Sequence, residues 1–355
     1  MTVIPVDKPQ RPTREVGRAA RPSGAPSIVA VARRAGVSIA TVSRVINGQT
    51  ALVRKSTAER VQRALEELDY RPQRTGQALR TRASRIVAVL VPDTLNIMGA
   101  IASSVETALR QDRRVMFLCN THEAPSLQDD YLAEARAYFA AGMVLVGAGA
   151  SPLLEQFVRG RQPVVFVIRR CPSGLPAPFV GTDNYRAGQE VAVHFLERGY
   201  HPCGMVHGPL FSSASREMFE GFRDRLAEAG RPLAPQHVRE CPSWSIEGGY
   251  REAAAMLAAD PRPRAIFFAG DNMAYGAYRR CAELGLRLPD DVAVFGFEDN
   301  PLNEWLAPWL STVRVPYAEF GPAIHQVLQR IWAGTLSGPP PEIILPYQLV
   351  LRSSA

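Results

Sequence analysis

The residues best suited to chemistry lie between Ser38 and Asn47, and that chemistry is recognition, not bond making. On a helical projection Ala40, Ser43, Arg44 and Asn47 fall on one side and Val42, Val45 and Ile46 on the other. The apolar set suits a small core; the small, hydroxylated and basic set suits a nucleic-acid groove. No comparable constellation exists for catalysis. His122-Glu123 is not followed by a His at zinc-peptidase spacing, and no GxSxG elbow or P-loop occurs. His201, Cys203 and His207 have a loose metal-ligand spacing, but Cys203 to His207 reads as the start of a strand. Gly147-Ala148-Gly149-Ala150 after a strand is ordinary turn chemistry as readily as a phosphate loop. No enzyme, cofactor or metal site is expected.

The elements that must position the polar face can be read around it. Ser27 is placed to cap a helix from near Ile28 to about Ala35, which stops at Gly36. Val37 turns inward and Ser38 caps the second helix. A third helix from about Thr57 spaces Val61, Ala64, Leu65 and Leu68 as a core stripe. Two short helices meeting at a glycine, the second basic on one side, form the pattern of a helix-turn-helix, which lays its second helix in the DNA major groove.

Charge is divided to match. The 355 residues carry a net charge of +7, yet residues 1–85 hold 17 Lys+Arg against 6 Asp+Glu and the rest is mildly acidic. A basic quarter on an acidic body assigns one module to phosphate and the remainder to something else. Hydrophobic content of 46% supports a sizeable core, and the length suits two or three domains. The five cysteines are scattered without CxxC spacing, which fits reduced cytosolic thiols. No apolar run approaches the roughly 18 residues of a membrane helix. Residues 1–26, with five prolines and five basic residues, read as a disordered basic arm or an over-extended start of the reading frame.

After Arg85 the pattern alternates. Strands are expected at Ile86–Val91, Val115–Cys119, Met143–Gly147 and Val164–Ile168, with helices between them. A second series follows, with strands at Gly204–His207, Ala265–Ala269 and Val292–Phe297, a helix near Tyr317–Trp332 and a last strand near Ile344–Val350. Two consecutive βα series imply two doubly wound parallel-sheet subdomains.

The run Val31-Ala32-Arg33-Arg34-Ala35-Gly36-Val37-Ser38, continued by Ala40-Thr41-Val42-Ser43-Arg44-Val45-Ile46-Asn47-Gly48 and by Leu68-Asp69-Tyr70-Arg71-Pro72, resembles the headpiece of the lactose/galactose repressor (LacI/GalR) family. The resemblance implies that Ile39, Ala40 and Arg44 read base edges, while Ser27, Thr41, Ser43, Asn47 and Thr57 contact phosphates. It also implies that Gln73-Arg74-Thr75-Gly76-Gln77-Ala78-Leu79 is a hinge helix whose Leu79 wedges into the minor groove; a plain linker is the alternative. Arg54 stands where a Ser usually caps the third helix, and Ala30 where an Asp is common.

Over the body the same resemblance rests on Val91-Pro92-Asp93, Gly181-Thr182-Asp183-Asn184, Asp271-Asn272-Met273-Ala274 and Gly296-Phe297-Glu298-Asp299-Asn300, among other marks. It implies an all-α helix-turn-helix headpiece joined to a two-lobed α/β periplasmic-binding-protein-like body, with a ligand in the cleft. Residues 1–26 would be the arm, 27–72 the headpiece and 73–84 the hinge. Residues 85–182 with 313–340 would form one lobe, and 183–312 with 341–355 the other. The pocket would include Ile168, Arg169, Met218, Trp244, Gly270, Asp271 and Glu298. Met218, Gly270 and Ile168 replace an Arg, an Asn and an acid that sugar-binding members use, and Glu298 replaces an Asp. Trp244 matches an aromatic that stacks on sugar. For Trp244, Asp271 and Glu298 the structural alternatives are core packing, a helix cap and a surface acid. Arg169 or Arg216 could meet an anionic group.

The expected protein is therefore a cytoplasmic, nucleoid-associated bacterial homodimer binding an inverted-repeat DNA operator, with a carbohydrate or sugar-acid effector. The rival is a ligand-binding protein with a vestigial headpiece.

Overall fold

The computed structural model describes residues 26–70, 84–94 and 96–355. The chain divides into two compact units, Met1–Gln77 and Ala78–Ala355, which are taken in turn. The hinge segment and Leu79 lie outside the described residues, as does the N-terminal arm.

In the first unit α1 (Ile28–Ala35), α2 (Ile39–Ile46) and α3 (Lys55–Glu67) enclose Val31, Ala32, Ala35, Val42, Val61 and Ala64. Ser27 Oγ accepts the Ala30 N–H at 3.2 Å, and Ser38 Oγ accepts that of Thr41 at 3.2 Å. Gly36 adopts φ +63°, the left-handed turn that lets α2 leave α1 at an angle. Arg54 precedes α3 without a side-chain cap, and only its carbonyl engages the first turn, taking the N–H groups of Thr57 and Ala58. The cap is thus weak, as Arg54 in place of Ser leads one to expect.

The second unit contains two parallel sheets and a short antiparallel pair. The first sheet is formed by β1 (Ile86–Val91), β2 (Val115–Asn120), β3 (Gly142–Val146), β4 (Val164–Val167), β5 (Phe179–Thr182) and β11 (Glu342–Leu345), in the order β11-β5-β4-β3-β1-β2. The second is formed by β6 (Cys203–His207), β7 (Val238–Glu240), β8 (Ala265–Phe268) and β9 (Ala293–Phe295), in the order β7-β6-β8-β9. β10 (Thr312–Arg314) pairs antiparallel with β12 (Gln348–Val350). The first sheet is flanked by α4 (Asn96–Leu109), α5 (Pro125–Ala137), α6 (Pro152–Arg159) and α11 (Tyr317–Trp332). α7 (Asn184–Glu197), α8 (Ser213–Glu228), α9 (Ile246–Leu257) and α10 (Asp271–Glu283) belong with the second. The strands are near-continuous apolar runs because both faces of a parallel sheet are covered. α7 and α8 meet backbone to backbone: a Cβ at Gly221 would overlap the Tyr185 carbonyl oxygen, and one at Gly188 the Met218 carbonyl oxygen.

The chain passes between the sheets three times, after β5, after β10 and after β11. The expected single strand Ile344–Val350 is two strands in different sheets, separated at Pro346, which has no N–H to continue a ladder. This corrects the expected lobe boundaries. Residues 342–345 pair with β5 in the first lobe, not the second, and β10 through Arg314 stays with the second, where Ser311 bridges to Phe295.

Candidate functional site

In the headpiece, Ile39, Ala40 and Arg44 are all exposed, Ile39 at 47% despite its apolar side chain. An isoleucine left in water at the start of a helix, while Val42 one turn inward is fully buried, marks a face kept free of the core. The Arg44 guanidinium has no partner among the described residues. Thr41 hydrogen-bonds Ser38 through its hydroxyl (3.0 Å), and Ser43 Oγ accepts from Asn47 Nδ2 (3.3 Å). Ser27 is exposed and Thr57 half-buried at the start of α3. Ser27, Thr41 and Thr57 sit at helix starts, where free backbone N–H groups also favour anions.

In the body a cavity of about 750 Å³ opens between the two lobes. It lies at the carboxyl ends of the strands, where doubly wound sheets place their ligands. Asp93 follows β1, His122 and Glu123 follow β2, and Gly147 follows β3; Ile168 and Arg169 follow β4. From the other lobe come Ser212, Met218, Trp244, Glu247, Gly270 and Glu298. Six of the seven expected effector residues line it: Ile168, Arg169, Met218, Trp244, Gly270 and Glu298.

Asp271 does not. It is fully buried and accepts hydrogen bonds from Thr312 Oγ1 (2.7 Å), Asn303 Nδ2 (2.7 Å) and the Asn300 N–H (2.8 Å). Burial pushes its carboxyl up to about 7 against the pull of those three donors. Asp271 fastens the loop after β9 to β10, and its role is structural.

Ile168 adopts φ +65°, a strained conformation for a β-branched residue, and the bend turns Arg169 back over the strand ends. There the Arg169 guanidinium, 10% exposed, donates to Glu123 Oε1 at 2.8 Å and to the Gly147 carbonyl at 3.3 Å. It is already neutralised. Arg216 is exposed, donates to the Leu210 carbonyl and does not line the cavity.

Trp244 owes its position to Gly208. A Cβ on Gly208 would overlap Cζ2 of the indole and lie 2.6 Å from Cε2, whereas one on Gly270 would make ordinary contact, 3.4 Å from Cε3. Gly270 therefore leaves open space beside a large ring. The indole Nε1 is buried with no hydrogen-bond partner, and so is Ser212 Oγ, whose residue is 1% exposed.

Glu298 adopts φ +114°, held by its N–H to the Val313 carbonyl and by Tyr317 Oη, which donates to its carbonyl at 2.9 Å. Its carboxyl has no hydrogen-bond partner among the described residues. Burial, with Asp271 and Asp93 beside it, pushes it well above the usual carboxylate range.

Sequence reasoning did not assign His122, Glu123 or Glu247 to the cleft, and it missed three further residues. Asp93 was visible as part of a mark after a strand, a position that points into such a cleft. Ser212 gave no signal. Arg170 was seen only as the neighbour of Arg169, yet it joins the lobes. It donates to Glu217 on α8 (3.1 Å) and to Glu342 on β11 (2.5 Å), lies 4.3 Å over the Phe179 ring, and gives its backbone N–H to Ser213 Oγ.

His207 Nδ1 is 2.7 Å from the Gly208 carbonyl and Cys203 donates to Tyr200, so the sequence triplet does not converge. Among the described residues no group of three or more His, Cys, Asp or Glu could hold a metal, and no helix is long and apolar enough to cross a membrane.

Residues 27–73 match the description of bacterial regulatory proteins of the lacI family, and residues 192–355 that of a periplasmic binding protein-like domain. The chain is 30% identical to the HTH-type transcriptional regulator DegA of Bacillus subtilis (strain 168), over 92% of this chain and 97% of the relative. It is 29% identical to the HTH-type transcriptional regulator PtxS of Pseudomonas aeruginosa, over 93% of this chain and 96% of that one. A solved complex of the transcriptional regulator CelR with cellobiose superposes with a TM-score of 0.69 at 27% identity, covering 93% of this chain and all of that one. The lac repressor dimer bound to operator and the anti-inducer ONPF superposes at 0.81 and 24% identity, covering 93% and 98%, a likeness of fold. Similar to such regulators over nearly its whole length, the chain belongs to the lacI family of bacterial regulatory proteins and is a DNA-binding transcriptional regulator.

Proposed function

We propose that the chain is a repressor whose operator affinity is set by a small molecule held in the interlobe cleft, and that it acts as a homodimer on an inverted repeat. The observation that carries this reading is the cavity itself. Its lining comes from both lobes, and the chain crosses between them three times, so occupancy biases the interlobe angle. A ligand touching both lobes shifts their equilibrium only by its differential affinity, typically about 1–3 kcal/mol, enough for roughly 5- to 150-fold in DNA affinity. Relatives whose printed names include repressor, such as PurR of Vibrio vulnificus, support the direction of control. The CelR–cellobiose complex supports a ligand of carbohydrate size. The lac repressor dimer on its operator supports the assembly, as do Trp305 (78% exposed) and Leu306 (73% exposed), apolar side chains that a second copy would cover. Such a protein works in the bacterial cytoplasm on nucleoid DNA.

Ile39, Ala40 and Arg44 are proposed to read bases; Ser27, Thr41, Ser43, Asn47 and Thr57 to hold phosphates; and Leu79 to enter the minor groove. The exposed reading face speaks against a vestigial headpiece. Footprinting on the DNA upstream of the gene tests the whole reading: a protected inverted repeat is expected at moderate salt, and its absence defeats the proposal. Arg44→Ala should erase sequence preference, since a guanidinium fork on guanine is worth about 1–3 kcal/mol. Leu79→Ala should weaken operator binding while sparing most nonspecific binding.

A further inference from the structure

We infer that the cleft takes an organic cation: a ligand with a flat apolar face laid on Trp244 and a protonated amine held by Asp93 and Glu298. This rests on the reading of the cleft as the effector site and narrows the chemical class of the effector.

Charge comes first. Asp93, Glu123, Glu247 and Glu298 all line the cavity, with Asp271 buried just behind. The facing bases are Arg169 and the imidazole of His122. Arg169 is tied to Glu123, so its charge is cancelled before any ligand arrives. A carboxylate or phosphate in the cleft would instead have to sit beside the Glu298 carboxyl, with Arg169 already committed to Glu123.

Shape and hydrogen bonding point the same way. The walls are built of Ile97, Met98, Met218, Trp244, Phe297 and Phe320, an apolar lining that rewards a flat hydrocarbon surface. A neutral polyol needs groups that give and accept hydrogen bonds: Asn184 and Asn272 line the cavity, but Asn184 is engaged by Thr182 and Glu217, and Met218 and Gly270 supply neither role. Among the described residues Glu298 is an acid with no hydrogen-bond partner on its carboxyl, and Ser212 Oγ is a buried hydroxyl that can accept from an ammonium, while the donor Trp244 Nε1 calls for an acceptor elsewhere on the same ligand. An ammonium beside Glu298 gives that carboxyl the counter-charge it lacks and allows it to ionise, and an aromatic face also attracts a cation laid near it.

The test is calorimetry on the full-length protein with two series matched in shape and differing in charge. One is 2-phenylethylamine, 2-phenylethanol and phenylacetate; the other is glucosamine, glucose and glucuronate. In at least one series the amine should bind tenfold or more tightly than its neutral partner (about 1.4 kcal/mol), with no binding of the anion. Glu298→Gln should remove that preference, with Asp93→Asn as a second variant should Glu298→Gln fail to fold. A neutral or anionic member binding as tightly as the amine in both series overturns the inference, as does an amine preference that survives both substitutions or failure of every amine to bind at millimolar concentration. Operator affinity is measured in the same samples. An amine that binds the cleft without changing operator affinity defeats the proposed switch and leaves the ligand class standing. A neutral effector that changes operator affinity does the reverse.

Discussion

Gly208→Ala should cost the protein its ligand floor, and the structure gives the size of the effect together with an internal control. The added methyl would overlap Cζ2 of Trp244 and come within 2.6 Å of Cε2 and 2.8 Å of Cη2. Carbon atoms tolerate about 3.5–4.0 Å, so the indole must leave its seat. Overpacking of this kind costs about 1–3 kcal/mol. At roughly 2–4 °C per kcal/mol for a domain near this size, the body should melt several degrees lower. Gly270→Ala meets the same ring at 3.4 Å from Cε3 and has extended backbone, so it should leave the melting temperature within a degree or so. The assay is a thermal melt paired with a ligand titration. Gly208→Ala should lose most of the affinity while binding DNA normally without ligand. If the two alanine variants behave alike in both measurements, the seating of Trp244 by Gly208 is refuted.

Further outcomes follow from the ion pairs and buried groups. Arg170→Ala removes the link from β4 to Glu217 and Glu342; because that guanidinium is 41% exposed, the stability loss should stay near 1 kcal/mol. The radius of gyration of the ligand-free body by X-ray scattering should nevertheless rise, and Arg170→Lys should not restore it because an ammonium cannot bridge two carboxylates as a fork does. Asp271 has its pKa raised to about 7, above its unfolded value, so its contribution is fully present in acid and lost as pH rises from about 4 through 7. Glu298 acts in the same direction. Melting temperature against pH should show this fall, and Asp271→Asn should flatten it. Burial pushes the Cys203 thiol to about 12 and that of Cys281 to about 11, so in the native protein a thiol reagent near pH 8 should leave both unmodified until the chain unfolds.

Much of the fold was legible because its signals are local. The caps at Ser27 and Ser38, the turn at Gly36 and the apolar strands all announce themselves within a few residues. The lobe boundaries were not. Residues 342–345 and 348–350 read as one apolar run, and only the partner strands, far away in sequence, decide that Pro346 separates two sheets. At the cleft it was the resemblance to a known family, rather than any local pattern, that pointed to Arg169, Met218, Trp244 and Glu298, and all four line the cavity. Asp271 deceived because an acid after a strand serves equally as a ligand group or as a buried fastener, and its three donors, Asn300, Asn303 and Thr312, lie 29 to 41 residues further along the chain, where no local pattern links them to it. Arg170 was overlooked because the partners that give it meaning sit on α8 and β11.

The pairing of β11 with β5 also dictates an order of assembly. Thr182 finds its neighbour only in Leu345, with nearly the whole second lobe encoded between them. On the ribosome the first lobe must therefore wait with one flank of β5 unpaired until almost the last of the chain has emerged. Such an edge is a template for wrong partners, and pairing across so long a loop is slow. Nascent chains stalled between residues 182 and 342 should be the aggregation-prone species, and a chaperone that shields sheet edges should matter most for this protein during that interval.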